Sequence, residues 1–354
     1  MYRITEQASL LPYNTFGMDV RAARLVEYDT VEDLRRVLPE FRTGAWWHVG
    51  RGSNLLFTGD YAGWVLHSGI RGIEVMPEGA EAEPCDAETK PQGAEKPCEG
   101  ESSSVVVRVG AGEVWDEVVA WAVGRGLWGA ENLSLIPGEM GAAAVQNIGA
   151  YGVELSDLVV GVEALEVATG AVRLLGRSEC RYGYRASRFK EERGRYVVTH
   201  VRLRLERRPR PRLDYQGLRE ALPAQPTLAE VREAVCRIRR AKLPDPRELG
   251  NAGSFFKNPV LAAAQFEALR REWPEVPHYA APDGGVKVPA GWLIEQCGWR
   301  GRSLGRAGVY ERQCLVLVNR GGASPSEVVA LQQAVVRSVR ERFGIELEAE
   351  VNII

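Results

Sequence analysis

Two glycine-rich segments carry most of the chemistry legible in this 354-residue chain. Gly50-Arg51-Gly52-Ser53-Asn54 joins two short apolar runs. Ile136-Pro137-Gly138-Glu139-Met140-Gly141 leads through small residues into Gln146-Asn147-Ile148-Gly149-Ala150-Tyr151-Gly152. Glycine lets a backbone approach a ligand closely, and successive free N–H groups make a cradle for phosphate oxygens. Tight turns alone would explain either segment. Two of them in one region, without a Walker lysine, lean toward a pyrophosphate-bearing cofactor. A third segment, Gly124-Arg125-Gly126-Leu127-Trp128-Gly129, spells GxGxxG. A helical pattern precedes it where a dinucleotide fingerprint needs a strand, so it reads as a helix C-terminus. His48, His67, His200 and His278 show neither HxH nor HExxH spacing, and no two of the six cysteines form a CxxC pair. No metal is expected.

The elements that must position these segments follow from pattern. WWHVG, LLFTG and WVLHSG read as strands broken by turns, after a short helix VEDLRRVL that opens with Thr30 and Asp33. VVVRVGAG, VGVEALEV and RYVVTHVRLRL alternate as strands do, and EVWDEVVAWAV has helical spacing. Further on, helices are predicted around 227–241, 260–272 and 325–343, with strands at 313–318 and 345–353. The class is α+β with a β-rich first half. ERRPRPR, basic and proline-bearing, is the best domain boundary.

Composition excludes several functions. Apolar residues make up 45% and charged residues 26%, values of a globular protein with a large core. The net charge of −2 shows no basic surplus for nucleic acid. Residues 78–104 hold eight acids against Lys90 and Lys96, so the remainder of the chain is mildly basic. That stretch has no aromatic or branched apolar residue and reads as a disordered insertion in a loop between strands. No signal-peptide core and no membrane-length apolar run appear. The cysteines read as reduced structural thiols, and the expectation is a cytoplasmic protein with no membrane or nucleic-acid partner.

The motifs then resolve into a resemblance. Asn14-Thr15-Phe16-Gly17, GRGSNLLF and GAENLSLIPGEMGAAAVQNIGAYGVEL resemble the UDP-N-acetylenolpyruvoylglucosamine reductase family. So do Arg181-Tyr182-Gly183-Tyr184-Arg185-Ala186-Ser187, Lys242-Leu243-Pro244-Asp245-Pro246 and GNAGSFFKNP at 250–259. AGWLIEQC at 290–297 and Glu348-Ala349-Glu350-Val351 complete a match that runs in order through almost the whole chain. The segment LDYQGL around Tyr215 resembles the tyrosine loop of the longer, type I branch. The resemblance implies an FAD-binding fold of the vanillyl-alcohol oxidase type in two subdomains, 1–70 and 71–208. A C-terminal α/β substrate-binding domain, 209–354, would return its last strand toward the active site. It implies a monomer that reduces an enolpyruvyl UDP-sugar to UDP-N-acetylmuramate for peptidoglycan, with NADPH as co-substrate. Hydride would pass from NADPH to FAD to the vinyl carbon before protonation. No histidine or cysteine lies within the matched FAD segments, so the flavin is expected to be non-covalent.

Residue by residue, the resemblance implies FAD contacts from Gly50, Arg51, Gly52, Ser53 and Asn54. It implies others from Pro137, Gly138, Gly141, Ala142, Val145, Ile148 and Gly149. Ala142, Ala143 and Ala144 stand where many relatives carry hydroxyls, leaving backbone N–H groups to hold the pyrophosphate. Reduction of the vinyl group generates an enediolate-like anion that needs fixed positive charge and then a proton on carbon. Arg185 suits the first task, because a guanidinium stays charged and can donate twice to a carboxylate. Ser254 matches the family's proton donor and Glu350 the acid paired with Arg185. Taken alone, Ser254 would be a loop serine and Glu350 part of a solvated strand face, since alternation puts Ile345, Leu347, Ala349, Val351 and Ile353 opposite it. Tyr151, Tyr215, Arg239, Lys242, Lys257, Asn258 and Gln296 match substrate-pocket positions.

Overall fold

The computed structural model describes residues 1–77, 103–215, 217–281 and 284–354. It divides into two compact units, each built from several stretches of chain. The first comprises Met1–Ala8, Ala22–Gly50 and Ala62–Arg239; the second comprises Ser9–Arg21, Arg51–Tyr61 and Arg240–Ile354. The division falls at Arg239/Arg240 instead of within ERRPRPR. Leu213, Leu218, Leu228, Val231 and Val235, all beyond that linker, are buried in one cluster with Trp128. Burial holds residues 213–235 in the first unit although the proline-rich sequence before them looks like a break.

In the first unit, Tyr2–Ser9, Arg21–Tyr28, Tyr61–Ser68 and Trp46–Val49 form a sheet in that order. Trp46–Val49 runs parallel to Tyr61–Ser68, with Val49 beside His67. The helix Val31–Phe41 covers it through Leu34, Val37, Leu38 and Phe41. Thr30 caps this helix by accepting the Asp33 N–H at 3.1 Å. A second sheet orders Val172–Gly176, Val159–Glu166, Tyr196–Glu206, Ser104–Gly110 and Ile73–Val75, all antiparallel. Its register sets Val105, Val107 and Val109 opposite Leu205, Leu203 and Val201, so one face is continuously apolar. The helices Trp115–Val123 and Met140–Gln146 bury Trp115, Val118, Val119, Met140, Ala143 and Ala144 in the same core. The predicted insertion 78–104 lies outside the described residues except at its end, where Ser104 already opens a strand.

His48 illustrates the cost of polar burial in the first sheet. Its Nε2 lies 2.7 Å from Tyr28 Oη. Burial, reinforced by repulsion from His67, pulls the imidazole down to about 3. The unfolded chain therefore binds a proton near pH 6.5 that the folded chain refuses. Stability should be complete above that pH and fall toward pH 4, by up to about 1.4 kcal/mol per unit. Unfolding temperatures across this range should fall less steeply in His48→Gln. An identical slope in the variant would show that other groups drive acid unfolding.

In the second unit, Gly250–Ser254, Val316–Asn319, Ala307–Val309 and Ser303–Leu304 form an antiparallel sheet. The helix Pro325–Phe343 packs on it, with Ser324 and Glu327 closing a reciprocal cap at its start. The predicted helix at 260–272 begins later, at Ala263, because Val260–Leu261 pairs with Val286–Lys287. The predicted strand 345–353 is shorter than its alternation suggested. Ile345, Leu347 and Val351 are buried as expected, but Ile353 is exposed and ladder pairing is confined to Asn352–Ile353 with Leu55–Leu56. Between them, Ala349 makes an isolated bridge to Phe256. Among the described residues, no helix is long and apolar enough to cross a membrane, and no group of three or more His, Cys, Asp and Glu could hold a metal.

Candidate active site

In the first unit, the segment 137–149 turns from extended Glu139 into the helix Met140–Gln146. Two of its amides are already engaged: Met140 N–H donates to Glu113 O and Gly141 N–H to Ala111 O, each at 2.8 Å. Packing explains the missing side chain at Gly141, since a Cβ there would lie 2.9 Å from Ala111 Cβ. Val145 and Ile148 pack against the sheet core. Pro137 and Ala142 are exposed and mark the open side of the turn. Gly50 lies beside it, where an added Cβ would come within 3.2 Å of Glu139 Oε2 and 3.3 Å of Ala142 Cβ. A bare-backbone surface with one open side fits a dinucleotide.

Helix Met140–Gln146 ends at Asn147, whose backbone is left-handed at φ 48°. Its amide nitrogen donates to Glu154 Oε2 (3.0 Å) and Gly183 O (2.9 Å), and its oxygen accepts the Ser156 N–H at 3.0 Å. Tyr151 (φ 50°) and Arg185 (φ 54°) are left-handed too. Such angles cost about 1–2 kcal/mol per non-glycine residue and persist where the surroundings dictate them. Arg185 Nη2 donates to Gly149 O at 2.9 Å, so the guanidinium rests against the glycine segment. Ser187 Oγ donates to Val145 O at 2.6 Å, and Lys190 Nζ bridges Gln146 Oε1 (2.9 Å) and Arg185 O (3.1 Å).

Tyr151 meets Tyr215 edge-on, with ring centroids 5.1 Å apart. Arg239 lies near Tyr151; burial lowers its basicity, and its Nε has no hydrogen-bond partner among the described residues. Asn132, to which sequence reasoning gave no role, ties these parts together. Its Nδ2 donates to both Tyr151 O and Arg212 O at 2.8 Å, anchoring the tyrosine turn to the entry of the Tyr215 loop. A buried Asn near glycine turns is the signal that could have singled it out.

In the second unit, Asn251 Oδ1 accepts the Gly253 N–H at 2.9 Å, and a register shift follows before Ser254 pairs with Val316. The bulge re-aims the chain at the strand end. Phe255 N–H then donates to Leu315 O (2.7 Å), Glu350 N–H to Phe255 O (2.8 Å) and Lys257 N–H to Glu348 O (2.9 Å). Ser254 and Glu350 are thereby held on neighbouring segments. Asn54 joins them, donating to Glu350 O at 3.4 Å while its own carbonyl accepts the Asn352 N–H at 3.1 Å. Asn14-Thr15 completes the clamp: Thr15 Oγ1 donates to Asn251 O at 2.6 Å, and Thr15 N–H to Gly52 O at 3.2 Å. The structure thus brings Gly52–Asn54, Ser254 and Glu350 together.

Four other predicted residues of this unit have contacts of their own. Lys257 Nζ ion-pairs with Glu348. Asn258 Oδ1 accepts the Ala290 N–H at 2.9 Å, capping the helix Ala290–Gln296. Lys242 is exposed at the end of the helix Leu228–Lys242. No hydrogen bond or ion pair among the described residues links Lys242, Asn258 or Gln296 to Ser254.

A family model described as an FAD binding domain matches residues 98–176, and one for the C-terminal domain of UDP-N-acetylenolpyruvoylglucosamine reductase matches 245–354. The UDP-N-acetylenolpyruvoylglucosamine reductase of Bacteroides fragilis (strain YCH46) is 50% identical over 353 residues, 99% of each chain. That of Pseudomonas aeruginosa is 45% identical, covering 99% of this chain and 98% of its own. The crystal structure of the Thermus caldophilus enzyme of the same name superposes with a TM-score of 0.65 at 25% identity, covering 100% of this chain and 99% of its own. The fold and these matches define an FAD-dependent oxidoreductase. The chain belongs to the UDP-N-acetylenolpyruvoylglucosamine reductase family.

Proposed function

We propose that the protein reduces the enolpyruvyl ether of UDP-N-acetyl-3-O-(1-carboxyvinyl)-glucosamine to UDP-N-acetylmuramate, using NADPH, as a cytoplasmic step of peptidoglycan precursor synthesis. The observation that supports this reading is the backbone pairing of segments 254–257 and 348–351, through Phe255 with Glu350 and Phe256 with Ala349. Bound non-covalently, FAD would supply the redox chemistry between NADPH and the vinyl group. Gly50, Arg51, Gly52, Ser53, Asn54, Pro137, Gly138, Gly141, Ala142, Val145, Ile148 and Gly149 would hold it.

Arg185 offers fixed positive charge to the substrate carboxylate as the ether-bearing carbon becomes electron-rich. The Gly149 carbonyl keeps its guanidinium in place. Ser254 Oγ delivers the proton to that carbon. A hydroxyl is a weak acid in water and serves here because a carbanion is a far stronger base. Glu350 is the accompanying acid. Tyr151, Tyr215 and Arg239 form the UDP-sugar wall, with Lys242, Lys257, Asn258 and Gln296 as further substrate contacts; Lys257 must leave Glu348 to act.

NADPH consumption by the purified protein, with and without the enolpyruvyl UDP-sugar, tests the reading. Consumption should depend on the sugar, and acid precipitation should leave yellow flavin in the supernatant. Consumption indifferent to the sugar would refute the substrate assignment, and flavin retained in the pellet would refute non-covalent attachment.

A further inference from the structure

Asp116 and Arg232 form a forked ion pair in the first unit that the reaction itself does not use. Arg232 Nη1 donates to Asp116 Oδ1 at 2.8 Å and Nη2 to Oδ2 at 3.0 Å, while Nη1 also reaches Ser134 Oγ at 2.9 Å. Asp116 Oδ1 accepts a further bond, from the Leu135 N–H at 2.7 Å. Leu135 is left-handed at φ 56°, and buried Ser134 donates its Oγ–H to Glu131 O at 2.6 Å. Burial works against ionisation of Asp116, but the Arg232 bonds and the Leu135 amide outweigh it and hold the carboxyl below its usual range. One carboxylate therefore joins two segments: the turn 131–136, which runs straight into Pro137-Gly138, and the helix Leu228–Lys242. Arg239 stands seven residues beyond Arg232, about two turns along the same helix face. It acts on Tyr151 and feels the Asp116 charge. Leu228, Val231, Ala234 and Val235 bury the neighbouring stripe of the helix against Trp128 and Leu213. Apolar burial has no direction and lets a helix turn or slide slightly; a forked guanidinium–carboxylate contact fixes both motions.

We infer that Asp116 and Arg232 are positioning residues: their ion pair fixes the helix that carries Arg239 against the turn before the flavin segment, and so sets Arg239 and Tyr151 for the UDP-sugar. This rests on the assignment of Arg239 and Tyr151 to that substrate. The pair acts through Arg239 and not on the reacting atoms.

Steady-state kinetics of the full-length holoenzyme with NADPH and the enolpyruvyl UDP-sugar test it. Arg232→Met should raise KM for the sugar about 10-fold with kcat within about 3-fold of the parent, the pattern of lost uniform binding. Asp116→Asn loses one prong, while its remaining oxygen can still accept the Leu135 N–H, and should raise KM about 3-fold or more. The signs separate positioning from simple charge. Arg232→Met removes a positive charge and Asp116→Asn a negative one, so a field acting on an anionic sugar nucleotide would raise KM in the first and lower it in the second. Positioning raises it in both. The double variant should be no worse than Arg232→Met, because both changes break one contact. Arg232→Lys, which can keep one bond to Asp116, should recover part of the loss. FAD affinity, read by flavin fluorescence, should stay within about 3-fold of the parent in Arg232→Met, because Leu135 keeps its acceptor. A lowered KM in Asp116→Asn, additive effects in the double variant, or an equal loss of flavin affinity overturns the inference. Should Arg232→Met fail to fold, the sign of the Asp116→Asn shift and the KM of Arg232→Lys still decide. Arg239→Met is the reference for the assignment beneath it. A parent-like KM there removes that assignment and the inference with it. A raised KM there, with Arg232→Met like the parent, overturns the positioning role alone.

Discussion

Replacing Ser254 by alanine is expected to slow substrate-driven recovery of the flavin absorbance by about 10² or more, the range of general acid catalysis. NADPH-driven bleaching of the same absorbance should stay within a few-fold of the parent. The variant removes one oxygen and leaves Arg185 and the glycine segments untouched. Loss of uniform binding would instead raise KM and leave kcat alone. Stopped-flow traces resolve the two steps. Equal slowing of both, or of neither, would remove Ser254 from the role of proton donor.

The second large effect concerns Gly52. Its backbone is left-handed at φ +67°, and a Cβ there would lie 1.8 Å from the Tyr13 carbonyl oxygen. Gly52→Ala must therefore break the Thr15–Gly52 contact that steadies the Ser254 segment. Gly17, at φ +69° with nothing within 4 Å of its Cβ position, is the control. Gly17→Ala should cost about 1–2 kcal/mol for the backbone alone. Gly52→Ala should cost more than about 3 kcal/mol, since backbone clash adds to strain. Equal denaturation midpoints for the two variants would mean that the Tyr13 contact is soft.

Much of this arrangement was legible in the chain. Alternation located the strand around Val105–Val109 and the stretch Val201–Leu205 because each buries one face only, and period-two patterning reports that directly, whereas Tyr196–Val201 is buried on both faces. The GxGxxG reading also held: Gly126 is left-handed just beyond the helix Trp115–Val123. Three features were not legible for physical reasons. The tail alternates through Val351, but pairing partners and not alternation decide whether a strand forms, so most of 345–351 lacks a ladder. The linker ERRPRPR looks like a boundary, yet the leucines beyond it find their burial against Trp128. The amides of Met140 and Gly141 looked available because sequence does not reveal that Glu113 and Ala111 carbonyls take them.

Side-chain roles followed the same division. Ser254 and Glu350 were named from motif, and their segments are joined by a long-range backbone bond from Glu350 to Phe255. Asn132 and Thr15 act through hydrogen bonds to distant carbonyls, which no local spacing encodes.

The central claim is that electrons from NADPH leave through the vinyl group of the UDP-sugar. Its most direct test is a single turnover under anaerobic conditions. The flavoprotein is bleached with one equivalent of NADPH and then mixed with the enolpyruvyl UDP-sugar, with UDP-N-acetylglucosamine, or with oxygenated buffer. The account predicts full, rapid recovery of flavin absorbance with the enolpyruvyl sugar, one UDP-N-acetylmuramate formed per flavin, and no recovery with the sugar lacking the vinyl group. Recovery with oxygen alone, while the enolpyruvyl sugar leaves the flavin bleached, would contradict it and mark the protein as an oxidase on the same scaffold.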